Sequence, residues 1–176
     1  MRDTIRNTLF QIADPAALIK FLVCLLIITA SAGSAAAATP SFQRFTIKIP
    51  VGWNHTVEEL RSNEEGFGES VRIYRPGESG ELTIVSYHSP VIADELVLRN
   101  FTNVDSSLQL DLEEWGDFAG YRYTYSENGS HFRQWWLSNR TTILILVYES
   151  ASEATPDEIQ VVDGMVASIG DVFRKR

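Results

Sequence analysis

Residues 121–148 read YRYTYSENGSHFRQWWLSNRTTILILVY, and three features of this stretch decide the fold. Tyr121, Tyr123 and Tyr125 alternate with Arg122 and Thr124, the period-two pattern of a strand with two distinct faces. Asn128-Gly129 follows, a dipeptide that supplies the positive backbone dihedrals of a tight primed turn, so His131 to Leu137 returns as the second arm of a hairpin. Thr141 to Tyr148 is then apolar on both alternating faces, which predicts a central strand with something packed on each side.

Working outward, Thr155-Pro156-Asp157-Glu158 supplies a cap, a proline at the first helical position and a capping-box acid. Ile159, Val162, Val166 and Ile169 follow at helical spacing, so the last element is a helix, with Gly164 inside it as a close-packing point or a tolerated weakness. Upstream, Leu108, Leu110 and Leu112 alternate as a strand would. Ile92 to Phe101 places Ile92, Leu96 and Arg99 on one helical face. Ser70 to Tyr74 and Leu82 to Tyr87 flank the turn-rich Arg75–Gly80, and form a hairpin. Phe45, Ile47 and Ile49 alternate up to Pro50 as a first strand, Trp53 lies over it as a core lid, and the polar stretch from Asn54 to Gly68 suggests a short helical turn at Val57 to Arg61. The sum is an α+β domain: an antiparallel sheet of six or seven strands flanked by helices.

The chain has 176 residues, 44% of them hydrophobic and 22% charged, which suits one globular domain and argues against a disordered chain. Its net charge of -8 repels phosphate backbones, so nucleic acid is not an expected partner. Residues 1–38 carry basic side chains at Arg2, Arg6 and Lys20, an apolar run from Phe21 to Thr29, and small residues through Ala38. That is the order of a secretory signal peptide, with cuts after Ala36, Ala37 or Ala38 all satisfying the small-x-small rule. The alternative is an uncleaved anchor, since Phe21 to Ala38 is near the shortest span a bilayer core accepts. Export to the periplasm or the extracellular space follows, with residues 39–176 as one domain and membrane contact only through the N-terminal segment if it is retained. The single cysteine, Cys24, falls inside the apolar run with no hydrophobic stretch ahead of it, a poor setting for a lipid anchor. Its removal leaves a mature chain without disulfides, thiol nucleophiles or thiolate metal sites.

Catalytic signatures are sparse. His55, His88 and His131 lack the close spacing of a zinc motif, and no G-x-S-x-G elbow or phosphate-binding glycine loop occurs. Glu113 and Glu114 are adjacent and point to opposite faces of an extended chain, so they do not form a paired acid and base. No catalytic residue, metal or cofactor is therefore expected. Four N-x-[S/T] triplets, at Asn54, Asn100, Asn128 and Asn139, matter only in a cell that glycosylates exported chains. The hairpin aromatics are the candidate site. Tyr121, Tyr123, Arg133, Trp135 and Trp136 are residue types that dominate binding hot spots, and they either fill the space between sheet and helix or present a partner-binding surface.

Phe45-x-Ile47-x-Ile49-Pro50-x-Gly52-Trp53 after an export signal, the strand Ile143 to Tyr148, and the closing helix ending Ala167-Ser168-Ile169 together resemble the PsbP-like group. That group includes the extrinsic photosystem subunit and bacterial envelope proteins of the DcrB and LpqN type. The resemblance spans residues 42–170 and implies an α/β/α sandwich that acts as an accessory or binding module without established catalytic residues. The expected function is thus a non-catalytic exported module that binds another envelope protein. The alternative is a small exported hydrolase or ligand-binding protein with a pocket built on His88 or His131.

Overall fold

The computed structural model describes residues 37–60, 68–88, 94–101, 104 and 107–174. The N-terminal segment read as a signal peptide lies outside them. By internal contacts the chain divides into a larger unit, Ala35–Glu95 with Gln109–Arg176, and a smaller one that contains Leu96–Leu108.

The larger unit is built on an antiparallel seven-stranded sheet. Its strands are β2 (Asn54–Leu60), β3 (Gly68–Tyr74), β4 (Glu81–His88), β5 (Glu113–Trp115), β6 (Phe118–Glu127), β7 (Ser130–Ser138) and β8 (Thr142–Ser150), in the order β2-β3-β4-β8-β7-β6-β5. A separate two-stranded pair joins β1 (Phe45–Thr46) to β9 (Gly170–Asp171). Two helices are described: α1 (Glu95–Phe101) and α2 (Pro156–Ala167). The α+β class and the antiparallel sheet agree with the sequence reading.

The β6–β7 turn is as expected, with φ of 52° at Asn128 and 84° at Gly129, and β8 takes the centre of the sheet. Cross-strand partners share a face, so one row runs Arg122, Trp135, Leu146, Ile84, Val71. This is the core face. Leu82, Leu137, Leu144 and Tyr148 lie on it with Trp115 and Phe118, and Val162, Met165 and Val166 of α2 complete the cluster. Phe42, Phe45, Ile47, Ile49 and Trp53 seal it from the N-terminal arm, so Trp53 does sit in the core.

Helix α2 starts as its sequence dictates: Thr155 caps it, accepting from Glu158 N at 3.3 Å, and Pro156 opens the first turn. The Glu158 side chain does not return to the cap. It accepts instead from the Tyr148 hydroxyl, which burial and this carboxylate hold well above the ordinary tyrosine range. The helix ends at Ser168, whose Oγ donates to Met165 O at 2.6 Å and accepts from Lys48 N at 2.9 Å, tying the arm to the helix. A Cβ at Gly164 would meet nothing within 4 Å, so this glycine is a tolerated weakness. Gly164→Ala is expected to stabilise the protein by about 1 kcal/mol in denaturant titration.

Several expectations need correction. Asn54–Leu60 is a strand and carries no helical turn; exposed along its length, it shows no apolar alternation to betray it, and pairing with β3 decides its conformation. Phe45, Ile47 and Ile49 are buried as read, but only Phe45 and Thr46 are strand, because their partner is the short β9 and not the large sheet. Leu108 to Leu112 is irregular; only Leu110 is buried, and strand pairing begins at Glu113. In α1 Leu98 is buried while Leu96, expected on its buried face, is 73% exposed; Ile92, the start of the expected helix, lies outside the described residues. Finally, β8 is fully buried on its core side alone; Ile143, Ile145 and Val147 on the other side are half-buried.

The C-terminal segment is held by Asp117, which accepts from Asp171 N at 3.0 Å and from the Arg174 guanidinium. The Asp171 amide pulls its carboxyl below the usual carboxylate range; desolvation opposes this, and the Arg174 hydrogen bond and charge add to the lowering. A depressed folded-state value gives stabilisation that is complete at neutral pH and is lost as the pH falls through that value. Asp117→Asn is therefore expected to narrow the difference in melting temperature between pH 7 and pH 3, and an unchanged difference would remove this clamp from the account.

Candidate functional site

The hairpin does not present its five candidate residues on one surface. Alternation separates neighbours, so Trp135 and Trp136 leave β7 on opposite sides of the sheet. Trp135 is fully buried in the core, edge-on to Trp115 with ring centroids 6.1 Å apart. Arg133 lies on the same side, 5.5 Å over the Trp135 ring, and makes a two-pronged ion pair with Asp163 of α2 at 2.9 and 2.7 Å. Arg122 joins this network, contacting Asp163 at 3.3 Å and Glu113 at 3.2 Å and lying 5.2 Å over Trp115. These groups fasten α2 to the sheet; the bidentate geometry and partial burial give the pairing more weight than a solvent-exposed ion pair. Arg133 and Trp135 are accordingly part of the framework.

Tyr121, Tyr123 and Trp136 occupy the opposite face. The row through Tyr121 continues across Trp136, Ile145 and Val85, and the next-but-one row pairs Tyr125 with Phe132. Tyr123 and Tyr125 stack with centroids 5.8 Å apart, and Tyr125 stacks on Phe132 at 4.8 Å. Trp136 is 8% exposed and forms the floor of the patch, Tyr121 and Tyr123 are half-buried, and Tyr125 is 38% exposed at its margin. None of these side chains belongs to the main core cluster, although Phe132 and Trp136 are buried. Tyr87 of β4 is on the same face, three strands from β6 in the row of Ala119, and is also exposed. Burial raises the hydroxyl pKa of Tyr87, and burial followed by the Glu127 and Glu149 charges raises that of Tyr125, so both stay neutral donors throughout the physiological range.

Tyr125, Phe132 and Tyr87 were not among the candidates. The first two were open to reading, because a two-residue turn at Asn128-Gly129 sets Glu127 opposite Ser130, and stepping back in twos pairs Tyr125 with Phe132 and Tyr121 with Trp136. Tyr87 joins this face only through the order of strands, which no local pattern carries.

The histidines remain apart. His131 Nδ1 lies 3.1 Å from Ser126 Oγ, its direct cross-strand partner on an exposed part of the hairpin, and among the described residues no carboxylate bonds this ring. His88 is exposed at the end of β4, and His55 meets the Phe42 ring edge-on at 5.7 Å. Glu113 pairs with Arg122 while Glu114 is exposed on the other face, as their adjacency requires. Among the described residues no three His, Cys, Asp or Glu side chains converge as a metal site, and no helix is long and apolar enough to cross a membrane.

No family model and no curated protein matches the chain. A crystal structure of a protein from Bacteroides thetaiotaomicron VPI-5482 is similar at 15% identity and a TM-score of 0.48, over 75% of this chain and 46% of that one. The chain thus spans about half the length of that protein.

Proposed function

We propose that the protein is a non-catalytic accessory module of the cell envelope, exported by its N-terminal segment, that binds another envelope protein through the face bearing Tyr121, Tyr123, Tyr125 and Trp136. The observation that supports this reading is the placement of these rings: they share the sheet face away from the main core cluster, where Tyr123, Tyr125 and Phe132 stack and the tyrosines are partly exposed. Large rigid rings with a polar tip offer contact area at little conformational cost, which is why they concentrate at binding hot spots. The PsbP-like α/β/α sandwich, with helices on both sides of the sheet, is the finer form of the fold within this proposal. No cofactor and no nucleic acid enters it, and the membrane enters only through a retained N-terminal segment.

The alternative, a hydrolase or ligand-binding protein using His88 or His131, draws little support from an exposed serine–histidine contact with no described third member. In-envelope cross-linking followed by mass spectrometry of the N-terminus and of co-purifying proteins tests the proposal. The expected result is a start between Ala37 and Thr39 and one reproducible partner whose recovery falls at least tenfold in Tyr123→Ser/Tyr125→Ser, a loss typical of hot-spot truncation, while the melting temperature is kept. Equal recovery by that variant would refute the assignment of the surface.

A further inference from the structure

The outer edge of β2 is a second, independent surface. Asn54 to Glu59 are all exposed, and among the described residues no backbone hydrogen bond reaches the side of this strand that faces away from β3. An open strand of this length offers a row of unpaired amides and carbonyls, and edges that must stay single are usually blunted by charged side chains, lysine above all, by proline or by a bulge. The strand NHTVEEL holds neither proline nor lysine, its two charges, Glu58 and Glu59, find facing partners when the strand pairs with its own copy, and its pairing with β3 runs without interruption from Asn54 to Leu60.

Its sequence is complementary to itself. Placed antiparallel to a second copy with Val57 on the two-fold axis, β2 sets Val57 opposite Val57, Thr56 opposite Glu58, His55 opposite Glu59 and Asn54 opposite Leu60. Each acidic side chain then faces a hydroxyl or an imidazole, and no like charges lie directly opposite. Moving the axis to Glu58 would set that carboxylate against its own copy, so the register is selected by charge as well as by length. We infer that the protein self-associates through β2, joining two seven-stranded sheets edge to edge about an axis at Val57. Because paired residues share a face, the aromatic patches of both copies come to lie on the same side of the joined sheet.

Sedimentation equilibrium of the processed protein tests this. Unmodified protein is expected at twice its single-copy mass at about 100 µM, with Val57→Lys sedimenting as a single copy. His55→Glu places two carboxylates opposite each other twice per interface and should weaken association about tenfold. Adding Glu59→Lys to it restores an opposite-charge pair and should restore association, a rescue that a folding defect would not give. A single-copy mass for the unmodified protein would overturn the inference, including where a foreign strand occupies the edge in its place. So would a double mass unchanged in both Val57→Lys and His55→Glu, which would put the contact elsewhere.

Discussion

Trp135→Ala is expected to lower the unfolding free energy by about 3–5 kcal/mol, the range for deleting a large aromatic from a close-packed core. Its ring lies between Trp115 and the row Leu146–Ile84, under α2, and carries Arg133 on its face. Truncation leaves a cavity that the surrounding strands cannot close, because their registers are fixed on both sides. Trp135→Phe should recover most of the loss, since the buried indole N–H has no protein acceptor among the described residues. Tyr125→Ser, only three rows of the same hairpin away but on the other face, should change stability by less than about 1 kcal/mol. Denaturant titration of the three variants separates framework from surface: a small effect of Trp135→Ala would mean that the division of the hairpin drawn here is wrong.

Gly116→Ala is expected to cost about 3 kcal/mol or more, combining a left-handed backbone that disfavours a Cβ with a collision that has nowhere to go. Gly116 has φ of 63° in the two-residue turn joining β5 to β6, and a Cβ there would lie 1.9 Å from the carbonyl oxygen of Ile169. The same turn donates Asp117 N to that oxygen at 2.9 Å, so it is pinned against the end of α2. Gly129→Ala is the control. Its φ of 84° is equally left-handed, but nothing stands within 4 Å, and its cost should be limited to about 1–2 kcal/mol of backbone strain. Equal losses in the two variants would leave the Gly116 contact without energetic meaning.

Legibility followed how local each determinant is. The Asn128-Gly129 turn, the Thr155-Pro156 helix start and the apolar β8 are each specified by a few adjacent residues, and all three are present. β2 left no such mark: its side chains are exposed on both faces, so hydrophobic alternation is absent and only its hydrogen bonds to β3 make it a strand. Leu108 to Leu112 failed in the reverse way, alternating without a partner to pair with. Phe45 to Ile49 alternates because one of its faces is buried in the core, and burial by itself does not require a long ladder.

The candidate site was half legible. Residue types marked the hairpin correctly as the aromatic centre of the chain, yet grouping Trp135 with Trp136 ignored the period of two that had identified the strand. Once that period is applied, Arg133 and Trp135 go to the helix side, where Asp163 of α2 supplies the partner that Arg133 requires. That pairing could not be foreseen, since Asp163 is one of several acidic residues near the last helix and only tertiary packing selects it. The placement of Tyr87 on this face depends likewise on β4 lying beside β8, a non-local fact.

In the proposed function the protein binds through its aromatic face, while α2 and the N-terminal arm cover the other. A photoreactive amino acid placed at Tyr125, on the margin of the patch, and separately at Gln160, exposed on α2, measures this directly. Irradiation in the native envelope should give a discrete covalent adduct from position 125 and none from position 160. The same adduct from both positions, or an adduct from position 160 alone, would contradict the account.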